Sequence, residues 1–197
     1  LPTSDGTDVY RSPIAGALYS HVADHVVQGR VVFPGAGYLE MARAAAPGSA
    51  LSSVYFLQPL AAEVPGLIVE CKVADGRFDV SSGTFVPEAA TLEDATTHCS
   101  GRCALVLSRQ QFVDHTAARG KSSVRVVDIA ALYFGFDSVG LSYGPTYRTL
   151  AQSWSGGGPA TGRLQVRLSS SSTEVHPADL DDALKLTSFT TSDAGGG

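Results

Sequence analysis

The chain of 197 residues carries one pattern twice: an apolar helical segment accompanied by short strand-like segments, with a polar stretch between the two copies. The polar stretch, QQFVDHTAARGKSS at 110–123, has no sustained apolar period, which is typical of a linker. We therefore predict an N-terminal unit at 1–109, a linker at 110–123 and a C-terminal unit at 124–197. With 44% hydrophobic residues, the chain can bury one substantial core or two small cores that share a sheet or an interface.

The first copy begins with a helix at 34–46, PGAGYLEMARAAA, which opens with Pro and Gly. Its apolar residues recur three or four positions apart: Tyr38, Met41, Ala42 and Ala45. Four strand-like segments follow, separated by turn residues such as Ala74, Asp75 and Gly76: 53–60, 66–73, 77–82 and 98–108. One helix followed by an antiparallel meander predicts an α+β layout.

The second copy begins with a helix at 127–140, VDIAALYFGFDSVG. Asp128 is a plausible N-cap, and Gly140 marks the end of the helical pattern. Beyond it we predict a strand at 163–168 and a final helix at 177–189, PADLDDALKLTSF. The second copy therefore repeats the α+β composition of the first.

The charge of the chain excludes several classes of partner. Fourteen Lys and Arg are scattered among 19 Asp and Glu, and the net charge is -5, so we expect no nucleic-acid partner. No apolar run approaches the roughly 20 residues that span a bilayer, and the start LPTSDGTDVYR resembles no secretory signal. We expect a cytoplasmic protein without a membrane partner.

The chain has three cysteines: Cys71, Cys99 and Cys103. An odd and small number of cysteines does not form a disulfide framework, which agrees with a reducing compartment. His98, Cys99 and Cys103 in HCSGRC are only part of a zinc ligand set, and no second Cys or His pair completes it. We predict buried structural thiols and no metal. The Gly-rich segment SGGGPATG at 155–162 lacks the Lys-Ser or Lys-Thr of a phosphate-binding loop, so no nucleotide is predicted.

Three further segments occur in a fixed order: HVVQGRVVFP, LSYGPTYRTL and HPADLDDALKL. In order and approximate spacing they resemble the dehydratase domains of polyketide synthases. The first matches the family motif His-x3-Gly-x4-Pro at His25, Gly29 and Pro34. The second matches Tyr-Gly-Pro-x-Phe at Tyr143, Gly144 and Pro145, with Tyr147 where Phe is usual. The third is an Asp shortly after a His-Pro pair: His176, Pro177 and Asp181.

The resemblance extends from about residue 8 to about residue 189 and implies a double hotdog fold. In that fold two antiparallel sheets each wrap a central helix, which is compatible with the two-copy pattern. Dehydratase domains usually continue for several strands after the last helix, whereas this chain ends in TSFTTSDAGGG. The resemblance therefore predicts a second hotdog that is shortened at its C-terminus.

Elimination of water from a β-hydroxyacyl thioester needs a base for the α-proton and an acid for the leaving hydroxyl. The resemblance implies that His25 is the base and Asp181 the acid, one from each half of the chain. An imidazole suits the first task because it titrates near neutral pH. An aspartic acid suits the second only where its surroundings keep it protonated, and the sequence leaves its protonation state open.

The resemblance also implies roles for the neighbours of these two residues. Gly29 would offer its backbone N–H to the thioester carbonyl, and Pro34 would fix the turn into the helix. Tyr143, Gly144 and Pro145 would border the substrate, although Tyr143 is equally compatible with a core aromatic. Lys185 stands where the family usually has Gln or His; it could pair with Asp181 and hold it ionised, or extend into solvent.

Other polar residues receive simpler interpretations. We expect His21 at the surface or behind the catalytic groups, and His176 as a cap or support of the last helix. His98 and His115 are expected to be structural or exposed. Asp179 and Asp182 are expected to be solvated carboxylates at the start of that helix.

Three functions remain open from the sequence. The favoured one is dehydration of a β-hydroxyacyl chain carried on the phosphopantetheine arm of an acyl carrier protein, without any other cofactor. The second uses the same His and Asp in isomerisation or cyclisation, as product-template domains do. The third is a non-catalytic acyl-binding scaffold. The partners implied are an acyl carrier protein and neighbouring synthase domains, and a homodimer is an arrangement that the sequence leaves open.

Overall fold

The computed structural model describes residues 6–105, 125–156, 158–167 and 173–186. In chain order its elements are β1 (Asp8–Pro13), α1 (Gly16–Val22), β2 (His25–Val27), β3 (Arg30–Val31), α2 (Gly35–Ala45), β4 (Ser49–Phe56), β5 (Ile68–Ala74), β6 (Arg77–Val86), β7 (Thr91–Leu105), β8 (Arg125–Val126), α3 (Ile129–Ser138), β9 (Leu141–Tyr143), a 3-10 helix (Pro145–Tyr147), β10 (Leu150–Gly156), β11 (Gly158–Leu164) and α4 (Pro177–Lys185). The predicted linker and His115 lie outside the described residues, so the domain boundaries stay a prediction.

The N-terminal half is a five-stranded antiparallel sheet of order β1-β5-β6-β7-β4 with α2 packed against it. Alternate residues of the central strands point into the core that α2 covers: Val69, Cys71, Phe78, Val80, Cys99 and Cys103. The small residues Ala42 and Ala45 are buried on α2 and allow the helix to approach the sheet closely. The predicted helix and the α+β layout are therefore confirmed.

Strand bounds differ from the prediction at the ends. β4 ends at Phe56, whereas the predicted strand extended to residue 60. β7 begins at Thr91, seven residues before the predicted start, because its first half pairs with the extended end of β6. Cross-strand hydrogen bonding lengthens strands into polar sequence that has no apolar alternation of its own.

The C-terminal half has a three-stranded sheet of order β11-β10-β8 and the helices α3 and α4. The side chain of Asp128 accepts hydrogen bonds from the backbone N–H of Ala130 and Ala131, which confirms its N-cap role. The predicted strand at 163–168 is wrong. The strand is Gly158–Leu164, because pairing with β10 draws the Gly-rich segment into a hairpin.

A third sheet, of order β3-β2-β9, joins the two halves. Its central strand, β2, belongs to the N-terminal half and pairs antiparallel with β9 of the C-terminal half, with His25 opposite Tyr143. β2 and β3 are linked by Gln28 and Gly29, whose φ angles of 50° and 77° form a tight left-handed turn. This pairing places two of the three sequence motifs side by side.

All three cysteines are buried and not joined in disulfides, as predicted. Burial raises the pKa of Cys71 to about 12 and that of Cys99 to about 11, so neither thiol ionises near neutral pH. His98 is also structural: its Nδ1 lies 3.0 Å from the carbonyl oxygen of Gln58 and its Nε2 lies 2.8 Å from Ser82 Oγ. Within the described ranges, no helix is long and apolar enough to cross a membrane.

Candidate active site

His25, the first residue of β2, is fixed by a backbone carbonyl. Its Nδ1 lies 2.6 Å from the carbonyl oxygen of Val32, and because a carbonyl only accepts, Nδ1 carries the proton. In the neutral ring, Nε2 is therefore the unprotonated nitrogen and can accept a proton. The hydrogen bond selects the tautomer that a general base needs.

The charge state of His25 is set by burial. Desolvation lowers the pKa of His25 below its ordinary value, the charge of Asp181 raises it in opposition, and Lys185 lowers it further. The net direction is downward, so the ring is neutral at pH 7. The geometry agrees with this influence, because the ring of Tyr143 lies 5.6 Å from the His25 ring and 3.3 Å from Nζ of Lys185.

A cavity of about 400 Å³ opens beside His25 and is lined mainly by apolar side chains, among them Phe33, Phe56 and Leu57. Gly35, the first residue of α2, lies in the same wall. Pro34 precedes it as the N-cap, with φ of -71°, the backbone angle that the proline ring fixes. Because the first N–H groups of a helix have no intrahelical partner, the start of α2 offers donors at this wall.

Gly29 does not lie in this wall. It occupies the exposed turn between β2 and β3, where a β-carbon would meet no atom within 4 Å. The residue is required there by its positive φ of 77° and not by close approach to a ligand. Gly29 therefore does not lie beside this cavity, whereas Gly35 at the start of α2 does.

Asp181 lies on α4, which begins at Pro177. His176 precedes the helix, and its Nδ1 accepts a hydrogen bond of 3.2 Å from the backbone N–H of Ala178, so His176 is the predicted cap. The Asp181 side chain is 15% exposed, and its Oδ2 lies 3.0 Å from Nζ of Lys185. This buried Oδ2 accepts no hydrogen bond of good geometry from any described residue.

Lys185 turns inward, which decides between the two alternatives left by the sequence. Its Nζ lies 2.7 Å from Oδ1 of Asp182 and 3.3 Å from the ring centroid of Tyr143. The residue is 8% exposed. The ammonium is therefore held between Asp181 and Asp182 and over the aromatic face of Tyr143.

Asp182 was predicted to be solvated, and that prediction is wrong. Its side chain is completely buried, and Oδ2 accepts from the Tyr133 hydroxyl at 2.8 Å, from Thr149 N and Oγ1 at 2.6 and 2.7 Å, and from Leu150 N at 3.1 Å. Because these bonds come from α3 and from the start of β10, Asp182 holds three elements together beside Asp181.

Asp179 is not simply solvated either. Both of its carboxylate oxygens lie 3.0 Å from Nε of Arg167, and its side chain is 20% exposed. It therefore forms a bidentate pair at the start of α4. The three acidic residues of this helix thus have three different environments, of which only that of Asp181 leaves a buried oxygen without a hydrogen bond.

The loop after β9 borders the same site. The rings of Tyr143 and Tyr147 lie 5.6 and 5.5 Å from the His25 ring. Tyr143 is buried and packs in the second hydrophobic cluster, so it is a core aromatic that also borders the candidate site. Tyr147, which replaces the usual Phe, donates its hydroxyl to the carbonyl of His21 at 3.0 Å.

Gly144 and Pro145 shape this loop. A β-carbon on Gly144 would lie 2.4 Å from the carboxyl group of Asp24, so only glycine fits. Pro145 begins the 3-10 helix, and the carboxylate of Asp24 accepts from the backbone N–H and the hydroxyl of Thr146 at 2.8 and 2.7 Å. The segment just before His25 therefore holds the loop that follows Tyr143.

His21 pairs with His176 across the two halves, with Nδ1 of His21 3.3 Å from Nε2 of His176. Nδ1 of His176 accepts from the helix backbone, so its Nε2 carries the proton in the neutral ring and donates to His21. His21 is half-buried. The pair connects α1 to the start of α4.

The stability of the protein is expected to fall as the pH drops from about 6.5 to about 4. Burial, and then the charges of Arg167 and His21, lower the pKa of His176 to about 4, while Asp179 acts in the opposite direction. As the pH falls, His176 takes up a proton near pH 6.5 in the unfolded chain but only near pH 4 in the folded chain. The contribution of His176 to stability is therefore complete above pH 6.5 and decreases progressively below it. Urea unfolding across this range measures the effect. His176→Asn keeps an N-cap acceptor but cannot titrate, so it should show a shallower slope; an unchanged slope would contradict the assignment.

Two site features were not predicted from the sequence: the contribution of Gly35 and the buried role of Asp182. A signal for Gly35 was present, because it follows Pro34 at the start of a predicted helix. Nothing in the sequence distinguishes Asp182 from Asp181, since the two are adjacent. Their environments differ only because neighbouring positions on a helix face different directions.

Comparison with known proteins agrees with the geometry. The family model described as the polyketide synthase dehydratase domain matches residues 1–82, and the model described as the polyketide synthase dehydratase N-terminal domain matches residues 112–196. The chain belongs to the polyketide synthase dehydratase family.

Curated relatives are much longer proteins. The chain is 32% identical over 182 residues to polyketide synthase ThaG of Burkholderia thailandensis, covering 83% of this chain and 3% of that protein. It is 26% identical over 207 residues to polyketide synthase PksM of Bacillus subtilis, covering 94% of this chain and 5% of that protein. The chain therefore spans a twentieth or less of the length of these two relatives.

Solved structures confirm the fold class. The dehydratase domain from the CurF module of curacin polyketide synthase superposes with a TM-score of 0.77 at 23% identity, covering 93% of this chain and 71% of that one. The erythromycin dehydratase gives a TM-score of 0.78 at 20% identity, with 93% and 70% covered. The chain has the α+β double hotdog fold, and its smaller second hotdog fits the shorter length.

Proposed function

We propose that this domain dehydrates a β-hydroxyacyl thioester to an α,β-enoyl thioester by acid–base catalysis. The observation that carries the proposal is the meeting of two groups from different halves of the chain. His25 offers an unprotonated Nε2 in a ring held by Val32. Asp181 offers a carboxyl group 3.0 Å from Lys185, whose ammonium lies over the ring of Tyr143, and that ring is 5.6 Å from the ring of His25. A base and an acid around one site are what elimination of water requires.

In the proposed step, Nε2 of His25 removes the proton from the α-carbon of the substrate. The electron pair of that C–H bond forms the double bond between the α- and β-carbons, and the C–O bond of the β-hydroxyl breaks. Asp181 gives its proton to the departing hydroxyl, which leaves as water. The products are the enoyl thioester, water, an imidazolium and a carboxylate, and proton return to Asp181 completes the cycle.

Lys185 is shared between Asp181 and Asp182. Its Nζ lies 2.7 Å from Oδ1 of Asp182 and 3.0 Å from Oδ2 of Asp181. Asp182 also accepts hydrogen bonds from Tyr133 and Thr149, so its carboxylate is committed to these partners. The buried Oδ2 of Asp181 accepts no such additional hydrogen bond from any described residue, which supports Asp181, and not Asp182, as the group that acts on the substrate.

The start of α2 is the proposed site for the thioester carbonyl. Gly35 lines the cavity beside His25 and lies in the first turn, where backbone N–H groups are unpaired and the helix dipole is positive. Negative charge develops on the carbonyl oxygen as the α-proton leaves. Donors at this position would stabilise that charge.

The proposed substrate is carried on the phosphopantetheine arm of an acyl carrier protein, and we propose no other cofactor. The family assignment supports a place for this domain beside other domains of a polyketide synthase, since its relatives are long synthases. The mainly apolar cavity near His25 suits an acyl chain.

One observation favours a second candidate, isomerisation of an enoyl thioester. Lys185 Nζ lies 3.0 Å from Asp181 Oδ2, which is the geometry of an ion pair. An ionised Asp181 could accept and return a proton while a double bond moves, although it could not protonate a leaving hydroxyl. The two candidates therefore differ in the fate of the β-hydroxyl.

The test is mass spectrometry of β-hydroxyacyl thioesters of several chain lengths on a holo carrier protein, incubated with the protein. We expect loss of one water with the wild type and a loss of rate of about 10²-fold or more in Asp181→Asn. Asp179→Asn, on the same helix but bound to Arg167, is the matched control and should retain activity.

A folded wild-type protein that removes water from none of these substrates would overturn the dehydratase proposal. Solvent deuterium uptake into an enoyl substrate, without any loss of water from the hydroxy substrate, would instead support the isomerase. Equal rates for Asp181→Asn and the wild type would contradict the role of Asp181.

A further inference from the structure

Glu40 is a buried carboxylate that the proposed chemistry does not use. It lies on α2, five residues after Gly35, and is 6% exposed. Burying a carboxylate is costly unless it is hydrogen-bonded or paired. The groups that donate hydrogen bonds to Glu40 therefore indicate which segment of the chain this side chain fixes.

Both oxygens of Glu40 face the C-terminal half. Oε1 accepts from the backbone N–H of Glu174 at 2.6 Å, and Oε2 lies 3.4 Å from the backbone N–H of Val175. The next residue is His176, the N-cap of α4. Glu40 thus holds the chain at the point where it enters the helix that carries Asp181.

The N-terminal end of α2 follows a segment that is hydrogen-bonded to His25. Val32, two residues before Pro34, is bound to His25 twice: its carbonyl accepts from Nδ1 at 2.6 Å, and its N–H donates to the His25 carbonyl at 3.1 Å. α2 therefore connects the proposed base, through Val32, with the segment leading to the proposed acid, through Glu40.

We propose that Glu40 is a positioning residue that sets the location of Asp181 relative to His25. Asp182 fixes α4 within its own half, to α3 and β10, whereas Glu40 fixes the start of α4 to the opposite half. The kinetic part of this inference rests on the proposed function. A displacement of about 1 Å between the two groups can reduce a rate by about 100-fold.

Arg43 supplies a matched control on the same face of α2. Its Nη2 lies 2.6 Å from Oε2 of Glu174, so it contacts the same residue through an exposed side-chain pair. Arg43→Met removes that pair but leaves the backbone hydrogen bonds to Glu40. Exposed pairs of this kind contribute little to stability.

The test compares Glu40→Met, which keeps the side-chain length but accepts no hydrogen bond, with Arg43→Met and the wild type. We expect amide hydrogen exchange at Glu174 or Val175 to accelerate about tenfold or more in Glu40→Met. We also expect kcat to fall by about 10- to 100-fold with KM nearly unchanged. Arg43→Met should leave both quantities near the wild-type values.

A third readout is independent of catalysis: NMR titration of the His25 ring. The charge of Asp181 raises the pKa of His25, and Lys185 opposes it with a smaller effect. Moving α4 changes these two charges and the burial of the ring together, so the pKa of His25 should shift in Glu40→Met but not in Arg43→Met. If Glu40→Met does not fold, Glu40→Gln, which keeps one acceptor, takes its place with smaller changes of the same sign.

Unchanged amide exchange and an unchanged His25 titration in a folded Glu40 variant would overturn the positioning role. A fall in kcat that merely follows the unfolded fraction would also count against it. If the wild type has no dehydratase activity, the proposed function fails, while the exchange and titration results still decide the role of Glu40.

Discussion

Replacement of His25 by Asn is expected to slow dehydration by about 10²- to 10⁴-fold, the usual contribution of a general base. The Asn amide nitrogen can occupy the position of Nδ1 and keep the hydrogen bond to the Val32 carbonyl. No nitrogen remains at the position of Nε2 to accept the α-proton. The variant therefore removes the proposed base while preserving its support.

Product formation on a carrier-bound β-hydroxyacyl thioester, followed by mass spectrometry, measures this effect. His21→Gln is a suitable control because the Gln side-chain oxygen can still accept from His176 Nε2 and keep the link between α1 and the start of α4. It should keep a rate within a few fold of the wild type. A His25→Asn protein with more than a tenth of wild-type activity would rule out His25 as the base.

The pH dependence of the wild-type rate follows from the same residue. Because burial lowers the pKa of His25 from its ordinary value of 6.5, the base is deprotonated throughout the neutral range. The acidic limb of kcat/KM should therefore have its midpoint below pH 6.5 and level off above it. The limb is expected to disappear in His25→Asn, since the remaining rate no longer depends on this ring.

Replacement of Asp182 by Ala is expected to destabilise the protein by about 3–5 kcal/mol, the range for loss of one partner of a buried pair. The change leaves the ammonium of Lys185 buried without its 2.7 Å partner. It also leaves donors of Tyr133, Thr149 and Leu150 without their acceptor. Unsatisfied buried donors each add to this cost.

Urea unfolding of the variants measures the loss. Asp182→Asn keeps an acceptor of the same shape but no charge, so it should lose less and provide a measurable protein if the Ala variant does not fold. Asp179→Ala is the control, because the partly exposed pair with Arg167 is expected to contribute about 1 kcal/mol or less. Equal losses of unfolding free energy in Asp179→Ala and Asp182→Ala would contradict the conclusion that Asp182 holds α3, β10 and α4 together.

Local sequence patterns predicted the elements that form within one stretch of chain. The helix at Gly35–Ala45 has its Pro and Gly start and its apolar period, and Asp128 caps the helix at Ile129–Ser138. Where two distant segments meet, these patterns failed. The polar first half of β7 and the Gly-rich β11 become strands because neighbouring strands supply their hydrogen bonds.

In the candidate site, too, the sequence predicted some features and the tertiary structure decided others. The order of the motifs around His25, Tyr143 and Asp181 was sufficient to indicate the family. The sequence placed the carbonyl donor at Gly29 because the motif includes that glycine, whereas the fold puts it in an exposed turn and puts Gly35 beside His25. A motif records which residues occur together, and a glycine required by a turn looks the same in it as one that lines a site.

The sequence by itself thus determined the helices α2, α3 and α4, the buried thiols and the residue types that acid–base chemistry needs, whereas α1 at Gly16–Val22 was not predicted. Only the tertiary structure decided that Lys185 turns inward, that Asp182 is buried while Asp181 keeps an oxygen without a hydrogen bond, and that Glu40 reaches Glu174. The physical reason is that side-chain charge and burial depend on which distant elements pack together. In this chain those elements come from opposite halves, joined by the pairing of β2 with β9.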